Sequence, residues 1–533
     1  MLEGERSYQK GQGNLVPSNN ASSAPESPVI PKAQENPWYI QHFTKLLIGF
    51  GLGGGAIAIL LPWMLWFFCG MSSGSSDQLR LHLLYVTGGI IAVLTLLQTN
   101  WKNQGDRLKI DADIKKNEQD AENEAAKREQ DAVKSERDHT RQVHAERRSR
   151  YTKAVEHLAD EKATVRLGGI YTLVGLVDEW LADDTLEAEE QQKEGQVIIN
   201  NLCSYIRSPF PLASKAEMFE DDSEPDDYEG NFSKDQAAFH EEQDVRRTIF
   251  VEMSKRSSSV ILNNEGDVIE TIPGNWGKFD IDFSRASIFY PLNDLTIEKG
   301  NFSSAKFYGE ANFYKTIFTT NADFSEASFT GNANFVAATF IQNVYFREAL
   351  FTQKATFIEA AFIQNAYFWE TTFIQNATFW ETTFTQNVYF REATFIQNAD
   401  FGWAAFAGAD FIGATFVQDA GFIGATFAQK ATFIGASFTQ TANFIEAFFK
   451  NNSPEFVDTS EAPDMASRAR FATPHKNQGG HKFTVREDSK PIKLGTATLL
   501  GKSFTIPIGT TVFDPASWDE RQKEYTRFSE PGK

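Results

Sequence analysis

The sequence predicts an all-β solenoid of short stacked coils, preceded by a transmembrane helical hairpin and an α-helical stalk. Three observations predict it. Phe accounts for 47 of 533 residues, and most lie between Phe279 and Phe449 at separations that alternate between five and six. Two long runs near the N-terminus carry no acid, lysine or arginine. A third run, residues 101–150, is dense in both signs of charge and lacks proline.

Residues 1–40 are rich in Ser, Asn, Gln and Pro, a composition that buries no core and predicts a disordered tail. The apolar runs follow at 46–70 and 81–97. About 20 apolar residues span the ~30 Å of bilayer hydrocarbon, so each run predicts a transmembrane helix, and the short connection makes them an antiparallel pair. Trp38 and Trp101 stand just outside the runs, where aromatic anchors are favoured. A soluble helix seldom stays apolar all round for this length. The glycines at 49, 51, 53, 54 and 55 resemble a phosphate-binding string, but such a loop needs a preceding strand and a soluble helix behind it. Close helix packing through Gly49/Gly53 and Gly51/Gly55 is the better expectation.

In the charged run, Ile110, Ala121, Ala132 and Val143 recur every 11 residues, and Ile114 and Ala125 repeat the interval. Eleven residues in three turns give a straight or slightly right-handed seam. A homodimer through the stalk or the transmembrane helices fits this pattern, and so does a single exposed helix. Residues 151–256 read as a helical domain, with helices over Glu187–Ile206 and Lys234–Lys255 and an acidic loop between Ala216 and Gly230. That loop lacks the order of a calcium site and reads as solvated.

Within 276–449 an Ala or another small residue often stands two before each Phe, as in Ala311, Ala333 and Ala355. On an α-helix, steps of five and two would scatter this set around the cylinder. In a strand, residues two apart point the same way. Ala-x-Phe therefore turns a small and a large side chain inward and leaves two or three residues for a corner. ADFIGATF (Ala409–Phe416) and GFIGATF (Gly421–Phe427) resemble the Phe-centred variant of the pentapeptide-repeat family. That resemblance implies a right-handed quadrilateral β-helix. The alternating spacing departs from the family's strict five and predicts a 22-residue coil with a bulge on alternate sides, reverting to pure fives from Phe401 to Phe416. The block Arg150–Trp180 is similar to the segment that precedes the repeats in membrane-tethered bacterial members, a likeness that implies architecture and no activity. Residues 453–533, with strand-like His481–Arg486 and Thr496–Pro507, are expected to cap the open end.

Catalytic chemistry is not expected, nor any metal or cofactor. His139 and His144 are five apart and off one helical face, and no nucleophile elbow or Walker loop occurs. Cys69 and Cys203 have neither disulfide nor metal spacing. Glu348, Glu359, Glu370, Glu381 and Glu392 recur every 11 at equivalent positions, which predicts a solvated row rather than a catalytic pair. A net charge of −20 opposes nucleic-acid binding. The expected function is a membrane-tethered scaffold that presents a solenoid face to a protein partner. The alternative is a DNA mimic acting on topoisomerases, as some soluble members of the family do. It is disfavoured because 14 acidic and 8 basic residues between Phe283 and Phe449 form no continuous single-sign face.

Tyr345, Tyr367 and Tyr389 each precede a Phe and are spaced by 22, while Arg347, Trp369 and Arg391 follow the same Phe residues. One coil of 22 puts all six on one face, and these residue types are enriched at binding hot spots. Tyrosines that merely stack and stiffen the rod would give the same spacing. The loop between the apolar runs holds only Asp77 and Arg80. Lys32 and Lys45 flank one end, and Lys102, Arg107, Lys109, Lys115 and Lys116 the other. The positive-inside rule then places both termini and the solenoid in the cytoplasm, with the chain in the plasma membrane. Ser529, polar and near the C-terminus, is expected to be exposed.

Overall fold

The computed structural model describes residues 36–220, 224–263, 268–458, 467–474 and 480–533. The expected tail up to residue 35, the centre of the acidic loop at 221–223 and two stretches of the C-terminal module lie outside them. The chain divides into two compact units, Met1–Arg137 and Asp138–Lys533.

In the first unit, helical segments Trp38–Gln41 and Phe43–Ile48 run through a π-helical turn, Gly49–Gly53, into Gly54–Cys69. Gly70 closes the last with φ 66, a left-handed conformation that glycine adopts without strain. The helix Ser73–Leu158, which begins in this unit, is continuous for 86 residues, so the expected second span and the expected stalk are parts of one element. Phe43–Cys69 and the beginning of Ser73–Leu158 are long and apolar enough to cross a membrane. Their apolar side chains, Leu52, Phe68, Tyr85 and Leu96 among them, face outward. Helix contact does not use the expected glycine pairs. Gly49, Gly51, Gly53 and Gly55 have open space where a Cβ would stand, whereas a Cβ on Gly54 would lie 2.3 Å from Thr87 Cγ2. Buried Gly54, Ala58 and Pro62, four apart, form the contact stripe. Ser76 adds a hydrogen bond from its hydroxyl to the Pro62 carbonyl at 3.4 Å.

In the second unit, helices Ala163–Leu181, Ala188–Arg207 and Phe232–Ser254 pack around Ile170, Leu173, Val177, Ile199, Leu202 and Phe239. Part of the expected acidic loop is helical, since Ala216–Glu220 carries Glu217 and Glu220. Arg246 is buried in this core. Its Nε donates to Glu242 at 2.7 Å, and its Nη atoms donate to the Ile206 and Ser208 carbonyls. With its hydrogen bonds made, this buried cation locks helix to helix.

The solenoid follows. Each coil contributes four two-residue strands, such as Lys306–Phe307, Ala311–Asn312, Ile317–Phe318 and Ala322–Asp323. They pair in parallel with the coils above and below. Ala333 stands between Ala311 and Ala355, and Phe340 between Phe318 and Phe362. One face has seven strands, one per coil. The register step is 22 residues, and it falls to 21 where the spacing reverts to fives, as in Phe395 opposite Phe416. The extra residue lies where expected: Thr383–Tyr389 pairs with Ala405–Asp410 through a register shift between Phe384 and Asn387.

The inward rings stack in columns, for example Phe313 on Phe335 at 4.7 Å and Phe335 on Phe357 at 4.9 Å. Alternate corners turn through a residue with positive φ. Ala349 N–H donates to the Phe346 carbonyl at 3.0 Å, and Glu348 between them has φ 56, the requirement of a type II turn. The same geometry holds Glu359, Glu370, Glu381 and Glu392, and glycine takes this place at 413, 424 and 435. Where Thr replaces the usual buried Ala after this turn, its hydroxyl is satisfied: Thr371 Oγ1 donates to Phe346 O and Thr382 Oγ1 to Phe357 O, both at 2.7 Å.

Both ends of the column are covered. Phe250, from helix Phe232–Ser254, packs on Phe283 at 4.4 Å. Gln243 and Arg247 donate to the carbonyls of Phe289 and Pro291. At the other end the column continues beyond Phe449: Phe456 stacks on Phe433, Phe471 on Phe438 and Phe483 on Phe444. The C-terminal module therefore completes a further coil, hidden in the sequence because inserted residues break the five–six spacing. Thr496–Pro507 is not one strand. It belongs to an antiparallel hairpin, Leu494–Leu499 with Lys502–Pro507, turning at Leu500 and Gly501. Ser529 is not exposed. At 8% accessibility it bonds Val512 through both its backbone N–H and its hydroxyl.

Candidate functional site

The strands Val344–Tyr345 and Ala366–Tyr367 and the end of Thr383–Tyr389 pair in register, so Tyr345 faces Tyr367 and Tyr367 faces Tyr389. Val344, Ala366 and Val388 point into the core, and alternation turns each tyrosine outward. The rings form one stack, with centroids 5.0 and 5.1 Å apart and planes inclined by 5° in both pairs. They are half-buried. Burial, then the flanking Tyr345 and Tyr389, push the Tyr367 phenol above its ordinary value.

Trp369 meets the stack edge-on, 5.3 Å from Tyr367 and 6.1 Å from Tyr389. Its Nε1–H is shielded and finds no acceptor among the described residues. Arg347 and Arg391 are exposed at the rim. Arg347 pairs with Glu348 at 2.8 Å, and Arg391 Nε reaches Asp410 at 2.6 Å. Asp410 occupies the tyrosine position on the next rung, opposite Tyr389. Beside the tyrosines runs an asparagine ladder, in which Asn365 N–H donates to Asn343 Oδ1 and Asn387 N–H to Asn365 Oδ1. All six residues singled out in the sequence thus stand on consecutive rungs of one side.

The other side carries Thr356, Thr378 and Asp400 in the equivalent places. Two residues there escaped the sequence reading, Trp403 and Ile423. The signal for Trp403 was present: it interrupts the every-eleven row at the place that Glu381 fills one coil earlier.

Two polar features of the helical region were also unforeseen. His144 Nε2 lies 2.8 Å from Asp183 Oδ2, Arg147 also pairs with Asp183, and Arg147 stacks 4.8 Å over Trp180. A cleft of about 1270 Å³ is lined by Asp178, Glu252, Arg256 and Glu298. Arg256 bonds Asp178 at 2.7 Å and Glu252 at 2.8 Å, while Glu298 accepts from the backbone N–H and hydroxyl of Ser258. Among the described residues no group of three or more His, Cys, Asp or Glu stands where it could hold a metal ion.

A family model described as pentapeptide repeats (9 copies) matches residues 296–339, 335–383 and 379–426, about a quarter of the chain and all within the solenoid. Neither a curated protein nor a solved structure matches the chain.

Proposed function

We propose that this chain is a membrane-tethered scaffold whose pentapeptide-repeat solenoid docks a protein partner on the tyrosine side. The observation that carries the docking face is the Tyr345–Tyr367–Tyr389 stack, with Trp369 edge-on and Arg347 and Arg391 at its rim. It offers rigid aromatic area that loses little entropy on binding. Tethering is supported by the two apolar helices, whose outward side chains would be costly in water. Pentapeptide-repeat solenoids are generally structural or interaction proteins rather than enzymes.

Pull-down from solubilised membranes with the full chain as bait tests the reading. Tyr367→Ser, Trp369→Ser and Arg391→Ser together should abolish capture of the protein that the wild-type chain retains, with the melting transition of the solenoid preserved. Capture that survives this triple change and fails on altering Thr356, Trp380 and Asp400 would assign the partner to the other side.

A further inference from the structure

Among the described residues of the solenoid, the large apolar side chains that stand exposed are Tyr314, Trp403 and Ile423, at 36%, 57% and 39%. All three lie on one corner, on the side away from the tyrosine stack, one or two residues after Phe313, Phe401 and Phe422. Half-buried Val336, Ile358, Trp380 and Ile445 fill the remaining rungs, so the apolar strip is continuous.

Trp403 is the outlier of the strip. It has φ 56 in a turn position held by Glu381 one coil before and Gly424 one coil after. A bulky side chain in the left-handed region is disfavoured, and such strain is a reason to look for function. The surroundings accommodate both indoles. A Cβ on Gly424 would lie 2.9 Å from the Trp403 ring, and one on Gly402 would lie 2.7 Å from the Trp380 ring. Trp380 is further fixed by its Nε1–H, which donates to Glu381 at 2.9 Å.

The charge on this side is mainly acidic from Thr352 onward, whereas Lys315 lies over the Tyr314 ring at the other end of the strip. From Thr352 to Ala447 its rungs carry Glu359, Glu381, Asp400, Asp419 and Glu446, with Lys354 as the sole cation. The tyrosine side, by contrast, sets Arg347, Arg391 and Lys430 among its carboxylates.

We propose that this corner binds a basic amphipathic segment of a partner protein. The apolar face of the segment lies along Trp380, Trp403 and Ile423. Its Lys or Arg side chains pair with Glu381 and Asp400 and stack on the exposed indole. The site is separate from the tyrosine face and does not rest on it.

The test uses the full chain in neutral-lipid nanodiscs, with a fluorescent helical peptide of about 18 residues, one face Leu and the other Lys. Empty nanodiscs and a Leu/Glu peptide of the same spacing are controls. The Leu/Lys peptide should bind saturably. Binding should weaken at least ~10-fold, the equivalent of about 1.4 kcal/mol, in Trp403→Ser/Ile423→Ser and in Glu381→Gln/Asp400→Asn. It should persist in the triple variant of the tyrosine side, which separates failure here from failure there. Equal binding to the Trp403/Ile423 variant, equal binding of the Leu/Glu peptide, or no binding beyond empty nanodiscs would overturn the proposal.

Discussion

Phe346 and Phe368, twenty-two residues apart in sequence, stack at 4.9 Å with their planes inclined by 7°. Phe368 passes the contact on to Phe390 at 4.7 Å and takes Phe357 and Phe379 edge-on at 5.7 Å. A side chain so placed is the unit from which the rod is built. Truncating it leaves a gap in its own column and exposes ring edges in the neighbouring ones.

Phe368→Ala is therefore expected to destabilise the solenoid by roughly 3–5 kcal/mol. Differential scanning calorimetry of the full chain in detergent should show a clear fall in melting temperature. Glu370→Ala, two residues on but exposed, should stay within about 1 kcal/mol. Equal effects would undo the assignment of inward and outward positions.

The glutamate row yields a sharper expectation. Glu370 has φ 55, and its backbone N–H donates to the Arg391 carbonyl at 2.9 Å. Glycine fits that backbone without a Cβ penalty, whereas alanine keeps it. Glu370→Gly should be more stable than Glu370→Ala by about 1 kcal/mol, less the extra freedom of glycine in the unfolded chain. A Gly variant that melts below the Ala variant would show that the turn is not strained.

Much of this rod is legible in the sequence because one side chain type recurs at a spacing only a coil can satisfy. Where the alternation of five and six gives way to fives, the register shifts between Phe384 and Asn387. Legibility ends where the period is broken. Phe456, Phe471 and Phe483 continue the columns, but the insertions between them erase the interval. Ser529 is buried although near the terminus, because the segment after Tyr525 folds back on Val512. The helix contact at Gly54 was hidden among five similar glycines, and only the position of Thr87 selects it. The six residues of the tyrosine side were found by their 22-residue spacing. Trp403 interrupts the every-eleven row in the sequence, but its strain depends on a backbone angle, φ 56.

Membrane orientation can be read by thiol labelling. Ser529 is unsuitable because it is buried. Gln522, exposed in the turn between Trp518–Asp519 and Glu524–Tyr525, is suitable. Cys203 will not interfere, since burial pushes its thiol up to about 11, and only exposed Cys69 needs replacement. With both termini cytoplasmic, as the flanking lysines and arginines predict, Gln522→Cys should resist an impermeant maleimide in intact cells and react after permeabilisation. Labelling of intact cells would reverse the orientation.

The C-terminal end of the solenoid should respond to acid through His481. Its Nδ1 accepts from the Ala442 N–H at 3.1 Å and its Nε2 stands 2.9 Å from the Ala472 carbonyl, so the ring fits as a neutral tautomer. Burial holds its pKa below the ordinary 6.5, outweighing the opposing pull of the Ala472 carbonyl and Asp419. The unfolded chain binds the proton more readily, so the stabilisation is fully present above about pH 6.5 and is lost as pH falls through that value toward the folded pKa. Protonation would also turn the Ala442 N–H against a second donor, opening the place where the added coil meets strand Ala442–Asn443. Hydrogen exchange over residues 467–474 and 480–486 should accelerate from pH 7.5 to pH 5.5, after correction for intrinsic rates, and the rungs around Phe368 should not follow. His481→Gln, which can keep an acceptor toward Ala442 and a donor toward Ala472 but does not titrate, should flatten the response. An acid response that persists at the C-terminal end in His481→Gln would remove His481 as its source.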